Sequence, residues 1–233
     1  MLQLSELRVH LDQLTDRIVS RLKDRSRFPL NEVVYQPDAV PIRGKRGMSF
    51  LQFALEGLES YHSSLGRFDF PDQYPLFSAS APSPIVTRTV SKPPIPRLAI
   101  ATRDDLLAFY RELLPRLCRA GDDPNTYGET VYADSDLLIM LNERVNVGRY
   151  VAQVKADRDP SLFDDVENTN RLKARLKDAA RENALLATVR GVAERYELDP
   201  GVAEDVFRWI IGETMLVELE YLRQVANHER SSR

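Results

Sequence analysis

PGVAEDVFRWIIGETMLVELEYLRQVA, residues 200 to 226, is the stretch from which the fold is read. After Pro200 it carries no further proline, and Asp199 stands just before it, so a helix with a proline in its first turn and an aspartate able to cap it is expected. Ile210, Ile211, Thr214, Glu218, Tyr221 and Leu222 share one helical face. Two of these six are out of character, because Thr214 and Glu218 interrupt an apolar stripe. A carboxylate on such a face is either paired or protonated, since burial penalises its charged form. Either state points to a site. Glu220 falls on the opposite side and reads as a solvated charge.

Working outward, the same period recurs. Leu7, Leu11, Leu14, Ile18 and Leu22 form a first stripe that Phe28-Pro29 ends. Phe50, Leu51, Phe53, Ala54, Leu58 and Tyr61 mark a helix over about 49–65, and further helical runs are expected at 103–119, 134–156 and 166–196. Between residues 70 and 98 the pattern breaks, and seven of the fourteen prolines fall there. Its interleaved Phe77, Ile85, Val86, Ile95 and Leu98 favour an ordered loop wrapped over the helices rather than a free linker. No alternating strand pattern of useful length and no internal repeat occurs. The expected fold is all-α, a single-domain helical bundle over 1–233 with a Pro-rich ordered loop at about 70–98.

Composition narrows the function classes. The 233 residues are 43% apolar and 29% charged, and the net charge of −3 argues against a nucleic-acid binder. Apolar runs are short pieces such as Leu137 to Leu141, far below the roughly 20 residues of a membrane span. The N-terminus alternates Leu with Glu, Arg, His and Asp, unlike a signal peptide, and a cytoplasmic location is expected. Cys118 is alone, so it reads as a small buried hydrophobe. There is no phosphate-binding glycine loop, no HExxH spacing among His10, His62 and His228, and no nucleophile elbow. Gly44-Lys45-Arg46-Gly47 is only a basic turn. Covalent catalysis and metal hydrolysis have no support, and no metal or cofactor is expected.

Charged residues on apolar faces carry the positive signal. Arg144 and Lys155 are eleven residues apart, three helical turns plus about 20°, with Gly148, Val151 and Ala152 between them. They describe either one wall of an anionic pocket or a partly exposed, salt-bridged pair. Asp178 and Glu182 are spaced i and i+4, although the nearby Arg175, Lys177 and Arg181 equally suit a solvated face. Arg8 lies about 100° from Leu7, at the edge of the first stripe. Together Arg8, Arg144, Lys155, Glu182, Thr214 and Glu218 would suit a small dianion bearing a hydroxyl or an ether.

Four blocks now resemble, in order, the all-helical chorismate mutases of fungi and plants. They are LKDRSRFP (22–29) with Val34-Tyr35, SFLQFALEGLESYHSSLGRFDFPDQYPLF (49–77), RVNVGRYVAQVK (144–155) and ETMLVELEYL (213–222). The resemblance runs from about Leu4 to Leu222 and is loosest between 78 and 115. It implies a unimolecular rearrangement of chorismate to prephenate on the way to phenylalanine and tyrosine, with no cofactor and in a homodimer. It also implies roles: Arg8 and Arg144 for the two carboxylates, Lys155 for a carboxylate and the ether oxygen, and Glu182 for the substrate hydroxyl. Thr214 would support a carboxylate, and a protonated Glu218 would face the ether oxygen. Asp178 stands where fungal members carry Asn, and is kept as a substrate-binding candidate.

The family's effector site, for tyrosine or tryptophan at the dimer interface, is altered. Arg67, Asn125 and Gly128 remain as its candidates, but Gly66 replaces one arginine and Glu129 follows Gly128. Weak or absent aromatic amino-acid control is therefore expected. Two other readings stand beside the mutase: an enzyme acting on a chorismate analogue, and a non-catalytic helical dimer that senses aromatic amino acids.

Overall fold

The computed structural model describes residues 4–69, 73–77, 82–85 and 95–231. Among them all regular structure is helical, in eight α-helices joined by loops and short 3₁₀ turns. These are α1 (Leu4–Ser26), α2 (Phe50–Ser64), α3 (Arg103–Leu117), α4 (Tyr127–Asn146), α5 (Gly148–Arg158), α6 (Thr169–Leu176), α7 (Ala179–Arg195) and α8 (Pro200–Ser231). α8 starts as expected, with the Gly201 N–H donating to Asp199 Oδ1 at 2.7 Å. It packs against α4, α5 and α7, and α1 lies along α4 and α7.

Two helical runs differ from their sequence-based bounds. The run expected at 134–156 begins earlier, at Tyr127, and is broken at Val147 into α4 and α5. Its first two turns were missed because Gly128, Glu129 and Thr130 give no apolar stripe. The run expected at 166–196 divides into α6 and α7. Lys177 is extended, and Asp178 turns its side chain back to accept the Arg181 N–H at 3.0 Å. That N-cap is a local alternative to continuing the helix.

The helices enclose two apolar cores. The larger gathers residues such as Ile18, Leu22, Leu137, Leu141, Val189 and Phe207; the smaller gathers Ala152, Leu162, Val166, Leu172, Met215 and Leu222. Of the residues expected to pin the Pro-rich loop, Phe77 packs on the larger core, while Ile95 and Leu98 join the smaller. Ile85 is instead 78% exposed, and Val86 lies outside the described residues. The parts of the loop that are described hang on α2 and α4. Glu59 accepts the backbone N–H groups of Leu76 and Phe77, Ser63 donates to the Pro82 carbonyl at 2.7 Å, and Asn142 donates to that of Tyr74 at 2.5 Å. Cys118 is buried, as expected. No helix among the described residues is long and apolar enough to cross a membrane.

One buried polar network crosses the larger core. Arg25 and Asp134 have fully buried side chains and meet at 2.5 Å. Tyr110 and Tyr35 both donate to Asp134, at 2.6 and 2.7 Å. The Arg25 guanidinium also donates to the carbonyls of Pro29 and Leu30 and to the Tyr35 hydroxyl. Burial works against its charge, yet the facing Asp134 carboxylate raises its pKa above the ordinary value. Asp134→Ala leaves that cation buried and unpaired, so unfolding in urea should show a loss of about 3–5 kcal/mol. A loss below about 1 kcal/mol would mean that the pair is dispensable.

Candidate active site

At the seam between the two cores lies a cavity of about 150 Å³. Leu176 and Met215 reach it from the smaller core, and Leu185 and Ile211 from the edge of the larger. Arg8, Arg144, Lys155, Asp178, Glu182, Thr214 and Glu218 all line it. The helices thus bring together every residue expected at the substrate site. Arg144, Glu218 and Met215 form its buried floor, while Arg8 and Asp178 are exposed at its mouth.

Charge is poised rather than spent in the floor. Lys155 Nζ donates to Glu218 Oε2 at 2.7 Å and to the Leu176 carbonyl at 2.8 Å. Arg144 is 6% exposed, and its Nε, like the Thr214 hydroxyl, is buried without a hydrogen-bond partner. Unmet buried donors are expensive, so both favour a ligand that accepts. Burial, and then the neighbouring charge of Arg181, pulls the Arg144 pKa down to about 10, while Asp12 and Glu218 hold it up. It stays cationic near neutrality. Burial pushes the Glu218 carboxyl above its usual range; Lys155 and Arg144 oppose this and Glu182 adds to it.

Local sequence explains these placements. Arg144 and Lys155 share the cavity although Val147 breaks the helix between them, because Val147 keeps right-handed helical angles. Gly148 lets α5 meet α8: a Cβ there would sit 3.0 Å from Thr214 Cγ2 and 3.2 Å from its carbonyl oxygen. Asp178 and Glu182 are not a pair along one helix face, since Asp178 is the N-cap and Glu182 lies in the first turn of α7. An acidic residue is well placed there against the helix dipole. Two cavity residues escaped the sequence reading. Arg181, whose spacing suits a solvated face, pairs with Asp12 at 3.1 Å, and both line the cavity. Asp12 follows Leu11 just as Arg8 follows Leu7, so the stripe-edge signal that marked Arg8 was present one turn further on.

The expected effector residues are not brought together within the chain. Arg67 donates to Gln73 at 3.1 Å and to Glu143 at 3.3 Å, near the end of α4. Asn125 donates to Asp123 at 3.1 Å in the 3₁₀ turn before α4, and Gly128 sits in the first turn with open space around it. Gly128 and Glu143 are fifteen residues apart on one helix, or roughly 22 Å.

Residues 127–219 match the sequence pattern of the family described as chorismate mutase type II, a span that holds every expected substrate-site residue except Arg8. A chorismate mutase of Trichoderma parareesei is 28% identical over 96% of this chain and 93% of its own length. A Candida albicans chorismate mutase, solved in complex with L-Trp, superposes with a TM-score of 0.88 at 27% identity, covering 95% of this chain and 91% of that one. The structure of AtCM1 with tyrosine bound in its allosteric site gives a TM-score of 0.83 at 28% identity, over 95% and 96% of the two chains. Those bound amino acids run against the expectation, drawn from Gly66 and Glu129, that aromatic amino-acid control is weak or absent.

The close approach at Gly148 is directly testable. Gly148→Ala forces α5 and α8 apart at the cavity wall, because the added Cβ would crowd the backbone of Thr214 as well as its methyl group. Chemical denaturation should report a loss of about 1–3 kcal/mol. An unchanged midpoint would show that the wall gives way without strain.

Proposed function

Because the chain belongs to the type II chorismate mutase family of fungi and plants, we propose that it rearranges chorismate to prephenate in the seam cavity. The observation that carries this reading is a buried, cation-rich floor in which Arg144 Nε and the Thr214 hydroxyl lack partners beside the Lys155–Glu218 pair. The reaction is unimolecular: one carbon–oxygen bond of the ether breaks while one carbon–carbon bond forms. It requires no nucleophile and no cofactor. A protein accelerates it by holding the flexible dianion in its compact conformer and by stabilising the charge that grows on the ether oxygen.

In this proposal Arg8 and Arg144 take the two carboxylates, for which a planar guanidinium fork is suited. Thr214 supports one of them, Glu182 accepts from the substrate hydroxyl, and Asp178 borders the pocket at α7. Lys155 turns from Glu218 towards a carboxylate and the ether oxygen. Glu218, already raised by burial, gains further proton affinity as it loses Lys155 and faces a dianion. In its protonated form it donates to the ether oxygen. Residues 1–233 act as one unit, and the setting is a cytoplasmic homodimer that an aromatic amino acid can address. A second copy laid antiparallel along α4 would cover the exposed Phe53, Tyr61 and Tyr132. It would also bring Arg67 of one copy towards Asn125 and Gly128 of the other.

Loss of chorismate absorbance tests the reading. Lys155→Ala should lower kcat/KM by about 10²–10³. Activity of the unaltered protein should fall as pH rises and Glu218 ionises, whereas Glu218→Gln should keep its activity across the same range. A rate that is level from about pH 5 to 8 would remove Glu218 from this role. Sedimentation should give twice the monomer mass, and Tyr132→Asp should shift the balance towards monomer.

A further inference from the structure

The mouth of the cavity lies between α1 and the start of α7. Of the lining residues, Arg8 and Asp178 are exposed, and Asp12 and Arg181 are 60% and 40% exposed, while Arg144 and Glu218 lie at the buried end. Across that mouth Arg181 Nη2 and Asp12 Oδ1 meet at 3.1 Å. The contact is a single hydrogen bond between two half-exposed groups, without the two-pronged geometry that makes arginine–carboxylate pairs firm. Both groups also act on the floor: Arg181 lowers the proton affinity of Arg144, and Asp12 raises it. Both line the cavity and share its field.

We infer that Asp12 and Arg181 form a latch that sets the affinity of the site for a dicarboxylate: Arg181 leaves Asp12 for a carboxylate of the incoming ligand, and Asp12 opposes that exchange. The inference rests on the dianionic substrate proposed above and goes beyond it, because neither residue belongs to the set assigned to substrate. A carboxylate arriving at the mouth competes with Asp12 for one guanidinium. Once it has won, Asp12 is left facing a dianion across a short gap, and that repulsion weakens binding. Lys155 and Glu218, at the other end of the cavity, do not take part, so the effect falls on KM and leaves the chemical step alone.

The latch makes a prediction about sign. Asp12→Asn removes the competitor and should lower KM for chorismate about threefold, the scale of an exposed ion pair, with kcat held. Arg181→Gln removes the docking cation and leaves Asp12 uncompensated, so KM should rise. A pair that merely ties α1 to α7 predicts the same sign for both variants. Equal signs, or an unmoved KM in Asp12→Asn, overturn the latch while turnover by the unaltered protein keeps the mutase reading. Calorimetric titration with prephenate separates the two further. If chorismate is not turned over, opposite shifts of prephenate affinity in the two variants uphold the latch alone, and their absence overturns it as well.

Discussion

The Arg25–Asp134 pair sets where everything else can go. Two opposite charges taken wholly out of water are stable only when every remaining donor and acceptor is met, and here two tyrosines and the three carbonyls of Phe28, Pro29 and Leu30 complete the set. Such a network tolerates no slippage, because a shift by one residue would strand a charge in the core. It fixes α1 against α4 in antiparallel sense. Arg25 meets Asp134, Arg21 meets Asp136, and His10 comes to 3.7 Å from Glu143. Continuing that progression sets Arg8 of α1 beside Arg144 of α4. Two arginines far apart in sequence thus reach one cavity because a different arginine, at the other end of α1, is locked.

The cavity those helices leave is shaped more by what is withheld than by what is supplied. Its floor holds two opposite charges that satisfy each other, a guanidinium whose Nε has no partner, and a hydroxyl without one. Burial lowers the proton affinity of Arg144 and raises that of Glu218, so it narrows the gap between them. For a reaction that only redistributes electrons within one molecule, such readiness is the whole of the protein's task. Donors already stripped of water and fixed in place need little rearrangement when charge appears on an oxygen.

The helical fold was legible because apolar spacing survives in nearly every element, and its misreadings share a cause. The start of α4 was missed where Gly128, Glu129 and Thr130 give the period nothing to act on. The breaks at Val147 and at Lys177–Asp178 were missed because a stripe continues in register across a kink or a single cap. Thr214 and Glu218 stood out as polar residues on an apolar face, and resemblance supplied their company. Arg181 and Asp12 were hidden for the opposite reason. Charges at the rim of a cavity obey the same sequence rules as charges on an ordinary surface, and only tertiary placement tells them apart.

The breaks themselves belong to the site. Gly148 stands just after the interruption at Val147 and admits the backbone of α8 at Thr214; Asp178, next to the extended Lys177 that ends α6, caps the start of α7 and borders the cavity. Thr214 and Glu218 spoil the apolar stripe of the longest helix at the same place. Each of these is a poor choice for helix or core taken singly, since glycine weakens a helix and a carboxylate resists burial. Away from the cavity α8 is capped and Arg25 is fully paired, although Arg149 of α5, also fully buried, keeps Nε and Nη1 without a partner. Local rules are broken together where two cores meet, and an opening is left there that neither core can close. A binding site built on packed helices needs that arrangement, because the surrounding helices can hold the misfit residues in place without sharing their strain.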